Sequence, residues 1–392
     1  MINIQNPNDC CGCGACVAIC PKKCISMQNN EEGFLYPSVD ITKCIDCGLC
    51  NKVCSWENKP ELLDRLVKLS VYAAWNLDEN VRRNSSSGGI FSILAERILK
   101  QDGIVVGAAY VDDCKKVEHI IINTPNDISK LRGSKYVQSE INPEVYSAIK
   151  KALETGLKVL FSGTPCQSAA LRNYLKKNYE NLLVCDLVCT GTPPPFFLSI
   201  LIDNINEKYN SEVIKYNFKD KKFGWSNQCE SWVLKNGKYN YINPKKNIFR
   251  IAFNKRLSLR YSCYHCKFVG CTRYGDITLG DFWGVKKNYT KYDMNNKGTS
   301  LIIINTLKGR YFINSCVKEI YLGEADLQSA VSGNPMLGQK PWIIPEKRKY
   351  FILDVKNLNK RNLIKKYNLY QRNVLSKIIR KILKFINENT SN

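Results

Sequence analysis

The chain has 392 residues, with 58 Lys and Arg against 35 Asp and Glu, a formal charge of +23, 19 cysteines and only 2 histidines. So few histidines argue against a hydrolase run by general-base catalysis, and no apolar stretch reaches the roughly eighteen residues of a membrane-spanning helix. The thiols point instead to metal and electron chemistry, and the charge to an anionic or acidic partner.

The first stretch, "DCCGCGACVAICPKKC", sets Cys10, Cys13, Cys16 and Cys20 in the spacing Cys-x-x-Cys-x-x-Cys-x-x-x-Cys, closed by Pro21. The run "CIDCGLCNKVC" repeats it with Cys44, Cys47, Cys50 and Cys54, followed by Ser55 in place of proline. Two such copies match the pattern of a two-cluster bacterial ferredoxin, in which each 4Fe–4S cube takes three thiolates from one run and the fourth from the other. Cys10, Cys13, Cys16 and Cys54 are therefore expected to hold one cluster, and Cys44, Cys47, Cys50 and Cys20 the second. A tight loop lets three thiolates converge on one cube, while Gly12, Gly14, Ala15 and Gly48 let backbone amides approach its sulfides. Cys11 and Cys24 fall outside both frames; Cys11 reads as a packed or reserve thiol. Zinc would use paired knuckles rather than a triple run plus a fourth cysteine, and disulfides would need an oxidising compartment. The start "MINIQNPND" lacks the basic region and apolar core of a signal peptide, so the expected location is the cytoplasm.

After a polar linker around 57 to 68, "LSVYAAW" reads as a strand. Ser85, Ser86, Ser87, Gly88 and Gly89 then form a polar loop that opens a helix over 90–100, with Ile90, Phe91, Ile93, Leu94, Ile98 and Leu99 at helical spacing. Free amides and hydroxyls at the positive end of a helix dipole suit a phosphate. An ordinary serine-capped helix start accounts for the same loop, and from the loop alone it is the preferred reading. "GIVVGAAYV" and "EHIIINT" read as strands, "PEVYSAIKKALETG" as a helix, and "KVLFSG" as a buried strand running into a helix with Pro165 in its first turn. "NLLVCDLVC" is a further buried strand. Cys166 and Cys189 thus arrive at loops on one edge of an α/β sheet, where such folds place their chemistry. In "YSCYHCKFVGCTRYGDITLGDFWG", Cys263 and Cys266 form a knuckle with His265 between them and Cys271 five residues on. This spacing points to a metal site and leaves the metal open, with the His265 ring expected to turn away from it.

The segments "NSSSGGIF", "GSKYVQS", "FSGTPCQSAAL", "LVCTGTP" and "CYHCKF" followed by "DITLGDFWG" resemble, in order, the beta subunit of coenzyme F420 hydrogenases and dehydrogenases. The resemblance runs from about residue 70 to 345. It implies FAD in an α/β domain, an iron–sulfur cluster close to it, and electrons passing between the two. Carried onto this sequence, it makes Cys166, Cys189, Cys263 and Cys266 the ligands of a third 4Fe–4S cluster, ahead of Cys185 and Cys271. It makes Ser85 to Gly89, with Lys135 and Tyr136, the flavin site. The lack of a GxGxxG fingerprint agrees with a flavin site that is not a Rossmann fold.

The expected architecture is an α+β ferredoxin domain over 1–58, an α/β flavin-binding domain with a mixed sheet over 69–345, and a basic helical tail over 346–392. The expected function is an oxidoreductase passing electrons between 4Fe–4S clusters and FAD, to or from a small redox substrate such as the deazaflavin F420. A flavin-free electron-carrier module that docks to a partner enzyme is the alternative. The expected partner is a redox protein or a small electron acceptor. Nucleic acid is disfavoured, because the lysines are spread along the chain and no recognition motif is present. In the tail, Val374, Leu375, Ile378, Ile379, Ile382, Leu383 and Ile386 share a helical face opposite Lys377, Arg380, Lys381 and Lys384. A helix over 370–392 could lie on an anionic membrane at its inner face or dock on an acidic partner. The preferred reading is that it covers its own domain.

Overall fold

The computed structural model describes residues 1–61, 64–285, 289–293, 295–338 and 340–369. At the front, β1 (Ile25–Asn29) and β2 (Leu35–Val39) form an antiparallel hairpin. Each cysteine run carries a short helix, Ala15–Ala18 and Leu49–Val53, entered through a glycine in the left-handed region, Gly14 at φ 77° and Gly48 at φ 71°. At Gly14 the close approach matters as well: a β-carbon there would stand 2.9 Å from the Ile141 carbonyl oxygen.

The large domain contributes β3 (Arg65–Asn76), β4 (Ile104–Val111), β5 (Lys116–Ile122), β6 (Val159–Gly163), β7 (Leu182–Leu187), β8 (Val213–Asp220), β9 (Cys229–Leu234), β10 (Tyr239–Ile242), β11 (Ile277–Asp281), β12 (Ser300–Thr306) and β13 (Ile320–Ala325). Eight of these make one mixed sheet in the order β13-β3-β12-β11-β7-β6-β4-β5. The central strands β11, β7, β6 and β4 run parallel, and antiparallel pairs flank them. Strands β6 and β12 are buried at every position, as expected where helices cover both faces of a sheet. Phe161 of β6 packs with the Pro143–Glu154 and Pro165–Leu175 helices, while its neighbour Leu160 packs with the Ile90–Leu99 helix on the other face. A second, three-stranded sheet, β10-β9-β8, is antiparallel. Strand β3 starts at Arg65, four residues before the strand read from the apolar run.

The front lobe is not a tethered appendage. Ala15, Cys16 and Val53 share one core with Tyr146, Ile149, Leu171 and Tyr174. The fully buried Arg260 donates to the carbonyls of Cys10 (2.7 Å) and Leu35 (2.9 Å) and to Gln138 Oε1 (3.1 Å). Glu32 accepts two bonds from the buried Arg348 guanidinium, at 2.7 and 2.9 Å. Arg348 opens the Arg348–Asn357 helix, and Phe351, Ile352, Leu363 and Tyr367 of this region join the core beside Phe34 and Phe197. The beginning of the basic tail therefore covers core. The helix expected over 370–392 lies outside the described residues. Among the described residues no helix is long and apolar enough to cross a membrane.

Candidate functional site

Strands β6 and β7 pair in parallel, with Gly163 opposite Asp186, so both deliver their next residues to the same edge. Thr164 and Gln167 form a reciprocal capping box at the start of the Pro165–Leu175 helix, which fixes Cys166 in its first turn. Cys189 stands two residues beyond β7. Cys263 lies on the short Tyr261–Tyr264 helix and Cys266 just after it. The buried Asp186 ties the segment after this knuckle to β7. Its carboxylate accepts from Arg273 Nη2 (3.2 Å), from the amides of Tyr274 (3.2 Å) and Gly275 (3.0 Å), and from Thr278 Oγ1 (2.7 Å).

Cys166, Cys189, Cys263 and Cys266 line one cavity of about 500 Å³, together with Ser85, Ser86, Ser87, Gly89, Lys135 and Tyr136. Burial pushes the Cys189 thiol well above its ordinary range, raises Cys263, and lifts Cys266 to about 12; the neighbouring sulfurs add to each shift. Buried, clustered thiols of this kind release their protons when a cation binds. Among the described residues no three Cys, His, Asp or Glu side chains converge closely enough for a single metal ion. A four-iron cube bonds one thiolate at each iron, so its ligands stand further apart than those of one zinc ion. The donor set is all sulfur, which suits such a cluster.

In the front lobe, burial raises the Cys16 and Cys54 thiols, and Cys13 and Cys10 reinforce both shifts, so these four sulfurs are neighbours. The Gly12 amide donates to Cys10 Sγ at 3.3 Å and the Ile2 amide to Cys50 Sγ at 3.1 Å. Cys20, Cys44, Cys47 and Cys50 surround a smaller void, with Cys24 Sγ 3.4 Å from Cys20 Sγ. Cys11 lies between the two thiol groups rather than idle. Its thiol is held up by the neighbouring Cys13 and Cys166 and by burial, and it lowers Cys166 in turn. Beside it, Trp56 and Phe268 lie 5.9 Å apart in a small core that also contacts Cys54 and Cys266.

The serine loop is built differently from the expected cap. Gly89, in the left-handed region, is the residue that starts the Ile90–Leu99 helix, and no side chain caps that start. The serine hydroxyls are used elsewhere: Ser85 on the Val81 carbonyl (2.7 Å), Ser87 on the Thr299 carbonyl (2.7 Å), and Ser86 accepting from the Ser134 amide (2.8 Å). Gly88 lies beneath the loop, where a β-carbon would stand 2.3 Å from the Ala74 carbonyl oxygen. Lys135 lines the cavity, but its ammonium donates to the carbonyls of Lys130, Leu131, Arg132 and Gly133. Burial lowers its pKa to about 7, and those four oxygens act in the opposite sense by accepting from the charged form. The Tyr136 ring faces the Arg250 guanidinium at 4.7 Å.

Several lining residues escape sequence reasoning. His119, 2% exposed, stacks on Phe161 at 5.5 Å and bonds the Ser162 carbonyl through Nε2 at 3.1 Å, which places the proton there and leaves Nδ1 without a protein partner. Burial lowers its pKa to about 4. Its one available signal was a polar residue on the inward phase of β5. Arg132, Lys219, Arg250, Arg256 and Arg260 also line the cavity, against Asp281 alone among carboxylates. Lys219 pairs with Asp281, and Trp283 stacks on Trp225 at 4.5 Å. An excess of cations on the wall suits an anionic ligand.

Residues 71–144 match the N-terminal family of the coenzyme F420 hydrogenase/dehydrogenase beta subunit, and residues 156–330 match the C-terminal family of the same protein. Residues 9–58 match the 4Fe-4S dicluster domain. The chain is 24% identical over 285 residues to a component of the F420H2 dehydrogenase of Methanosarcina mazei, covering 69% of this chain and 75% of that one. It is 24% identical over 319 residues to the coenzyme F420-dependent sulfite reductase of Methanocaldococcus jannaschii, covering 78% of this chain and 46% of the relative. A chain of the F420-reducing NiFe hydrogenase complex from Methanosarcina barkeri aligns with a TM-score of 0.46 at 18% identity, over 78% of this chain and 95% of that one.

Proposed function

The chain belongs to the coenzyme F420 hydrogenase/dehydrogenase beta-subunit family and carries a 4Fe–4S dicluster domain, and from that premise we propose that it is an iron–sulfur flavoprotein oxidoreductase. Cys10, Cys13, Cys16 and Cys54 hold one cube of the front lobe, and Cys44, Cys47, Cys50 and Cys20 the other. Cys166, Cys189, Cys263 and Cys266 hold a third, and the cavity they line takes FAD. Bound FAD supplies the exchange between single-electron and two-electron transfer. The observation that carries this reading is that one cavity of about 500 Å³ meets both the four cysteines and the Ser85–Gly89 loop. A space of that size is within the range of cofactor sites.

The chain's own residues suit the task. One buried cluster of Trp56, Ala169, Phe268 and Tyr274 packs against Cys11 and Cys54 of the front lobe and against Cys166 and Cys266 of the cavity, so the path between them stays inside protein. The uncapped start of the Ile90–Leu99 helix and the cationic wall favour the anionic part of a dinucleotide. His119 offers a neutral acceptor nitrogen for a ligand N–H or O–H. The substrate is a small redox molecule, with a deazaflavin such as F420 the first candidate from the family's name, and the electrons are exchanged with a partner protein.

Iron, acid-labile sulfide and released flavin per chain, measured on anaerobically reconstituted protein, test the reading. About twelve iron atoms and one FAD support it. About eight iron atoms and no flavin overturn it and leave an electron-carrier module built on the front lobe alone.

A further inference from the structure

We propose that the outer end of the front lobe is a docking surface for a small acidic one-electron carrier protein, with the Cys20, Cys44, Cys47 and Cys50 set as the port for electrons. The inference rests on the reading of that set as a cluster. Cys47 is the one exposed cysteine among the described residues; the others are buried or half-buried. A redox centre that must exchange electrons with another protein needs one edge near the surface, and this is that edge.

The surroundings have the make-up of a contact face. Ile41 and Ile45, 69% and 58% exposed, stand on either side of Cys44 and present aliphatic surface to water. Lys22, Lys23 and Lys43 are exposed around them. The acidic groups facing the same end are Asp40, which pairs with Lys43 at 2.9 Å, and Asp46, which pairs with the amino terminus at 2.7 Å. The face thus has an apolar centre and a polar rim, the general anatomy of an interface, and the uncompensated charges of that rim are lysines. Lysines there also offset the negative charge that a cube with four thiolates brings to the surface. An acidic carrier is drawn in by this rim and by the chain's +23 overall, which raises the encounter rate. A second copy of this chain would bring the same lysines against themselves, so self-association is the poorer fit. In each encounter the carrier changes by one electron and the cluster by one in the opposite sense, with no atom or proton transferred.

The test uses the full reconstituted chain and, as probe, a pre-reduced acidic plant-type 2Fe–2S ferredoxin, whose signal is distinct from that of the cubes. Anaerobic stopped-flow mixing should show a bimolecular oxidation of the probe that slows steeply as salt rises. Lys22→Glu/Lys23→Glu/Lys43→Glu should slow it at least about tenfold and remove the salt dependence. Lys22→Gln/Lys43→Gln should lie between, and Ile45→Ser, which removes apolar surface without changing charge, should slow the reaction while leaving the salt slope in place. Dithionite, a small reductant, should reduce every variant as it does the wild type. An unchanged probe rate in the charge-reversed chain, or a faster rate with a basic carrier protein, overturns the proposal. If the chain binds no iron at all, the cluster reading itself fails, and iron analysis before mixing separates that failure from the failure of the docking surface.

Discussion

The front lobe and the inner cavity both gather thiols, but they do so from opposite distances along the chain. In the front lobe eight cysteines come from two runs between Cys10 and Cys54, on short glycine-entered helices that pack into the core of the large domain. In the cavity the four cysteines come from the ends of β6 and β7 and from a knuckle near residue 265, so the whole sheet and the Asp186 network must form first. The front thiols are thus grouped by neighbouring sequence and the inner ones only by the tertiary fold. Damage to packing should therefore empty the inner site before the front one.

The largest effect that breaks this comparison is ligand removal. Cys263→Ser should lower iron by about four atoms per chain and leave the front clusters' signals intact, whereas Cys13→Ser should lose front iron and spare the inner site. Equal loss from both sites in either variant would make the two sites one cooperative unit. Glu32→Ala comes next. It leaves the Arg348 guanidinium buried with its carboxylate partner gone and should cost about 3–5 kcal/mol, read from the urea midpoint. Glu32→Ala/Arg348→Met should recover most of that loss, because no charge is then stranded.

A smaller effect sharpens the account of the cavity wall. The pKa of His119 falls from 6.5 to about 4 on folding, so its contribution to stability is fully present above the unfolded value and is lost as pH falls toward the folded one. Between about pH 7 and about pH 5 the wild type should lose about 2 kcal/mol more than His119→Phe, which keeps the ring against Phe161 and removes the titration. Urea midpoints for the two proteins across this range check it; parallel curves would mean that water reaches the imidazole.

The legibility of the chain follows the same divide. The front thiols stand close in sequence, so their grouping shows in the spacing alone, although residues as distant as Tyr146 and Arg260 hold their loops. The inner cysteines were readable only through several family-like segments taken in order, since nothing in one window links Cys166 to Cys263. The serine loop misled for a similar reason. A serine before a helix is most often a cap, but here the hydroxyls bond to Thr299 and Ser134, far away in sequence, and Gly89 starts the helix alone. Lys135 does line the cavity, but its ammonium is turned onto the carbonyls at the end of the preceding helix. Arg260 and Arg348 join lobe to domain across more than two hundred residues, and no local pattern announces such a bond. Nothing in the strand-like run "EHIIINT" singled out His119, and its place on the buried phase of β5 was the one clue.

Whether the inner thiols carry electrons is decided by the reduction of bound FAD when electrons enter at the front lobe. Wild type and Cys189→Ser, each reconstituted and shown to hold FAD and the front clusters, are mixed anaerobically with the pre-reduced acidic ferredoxin. The account predicts rapid bleaching of the flavin in the wild type. In Cys189→Ser it predicts reduction of the front clusters with the flavin left oxidised. Equal bleaching in both proteins would contradict it, because electrons would then reach the cavity without the inner thiols.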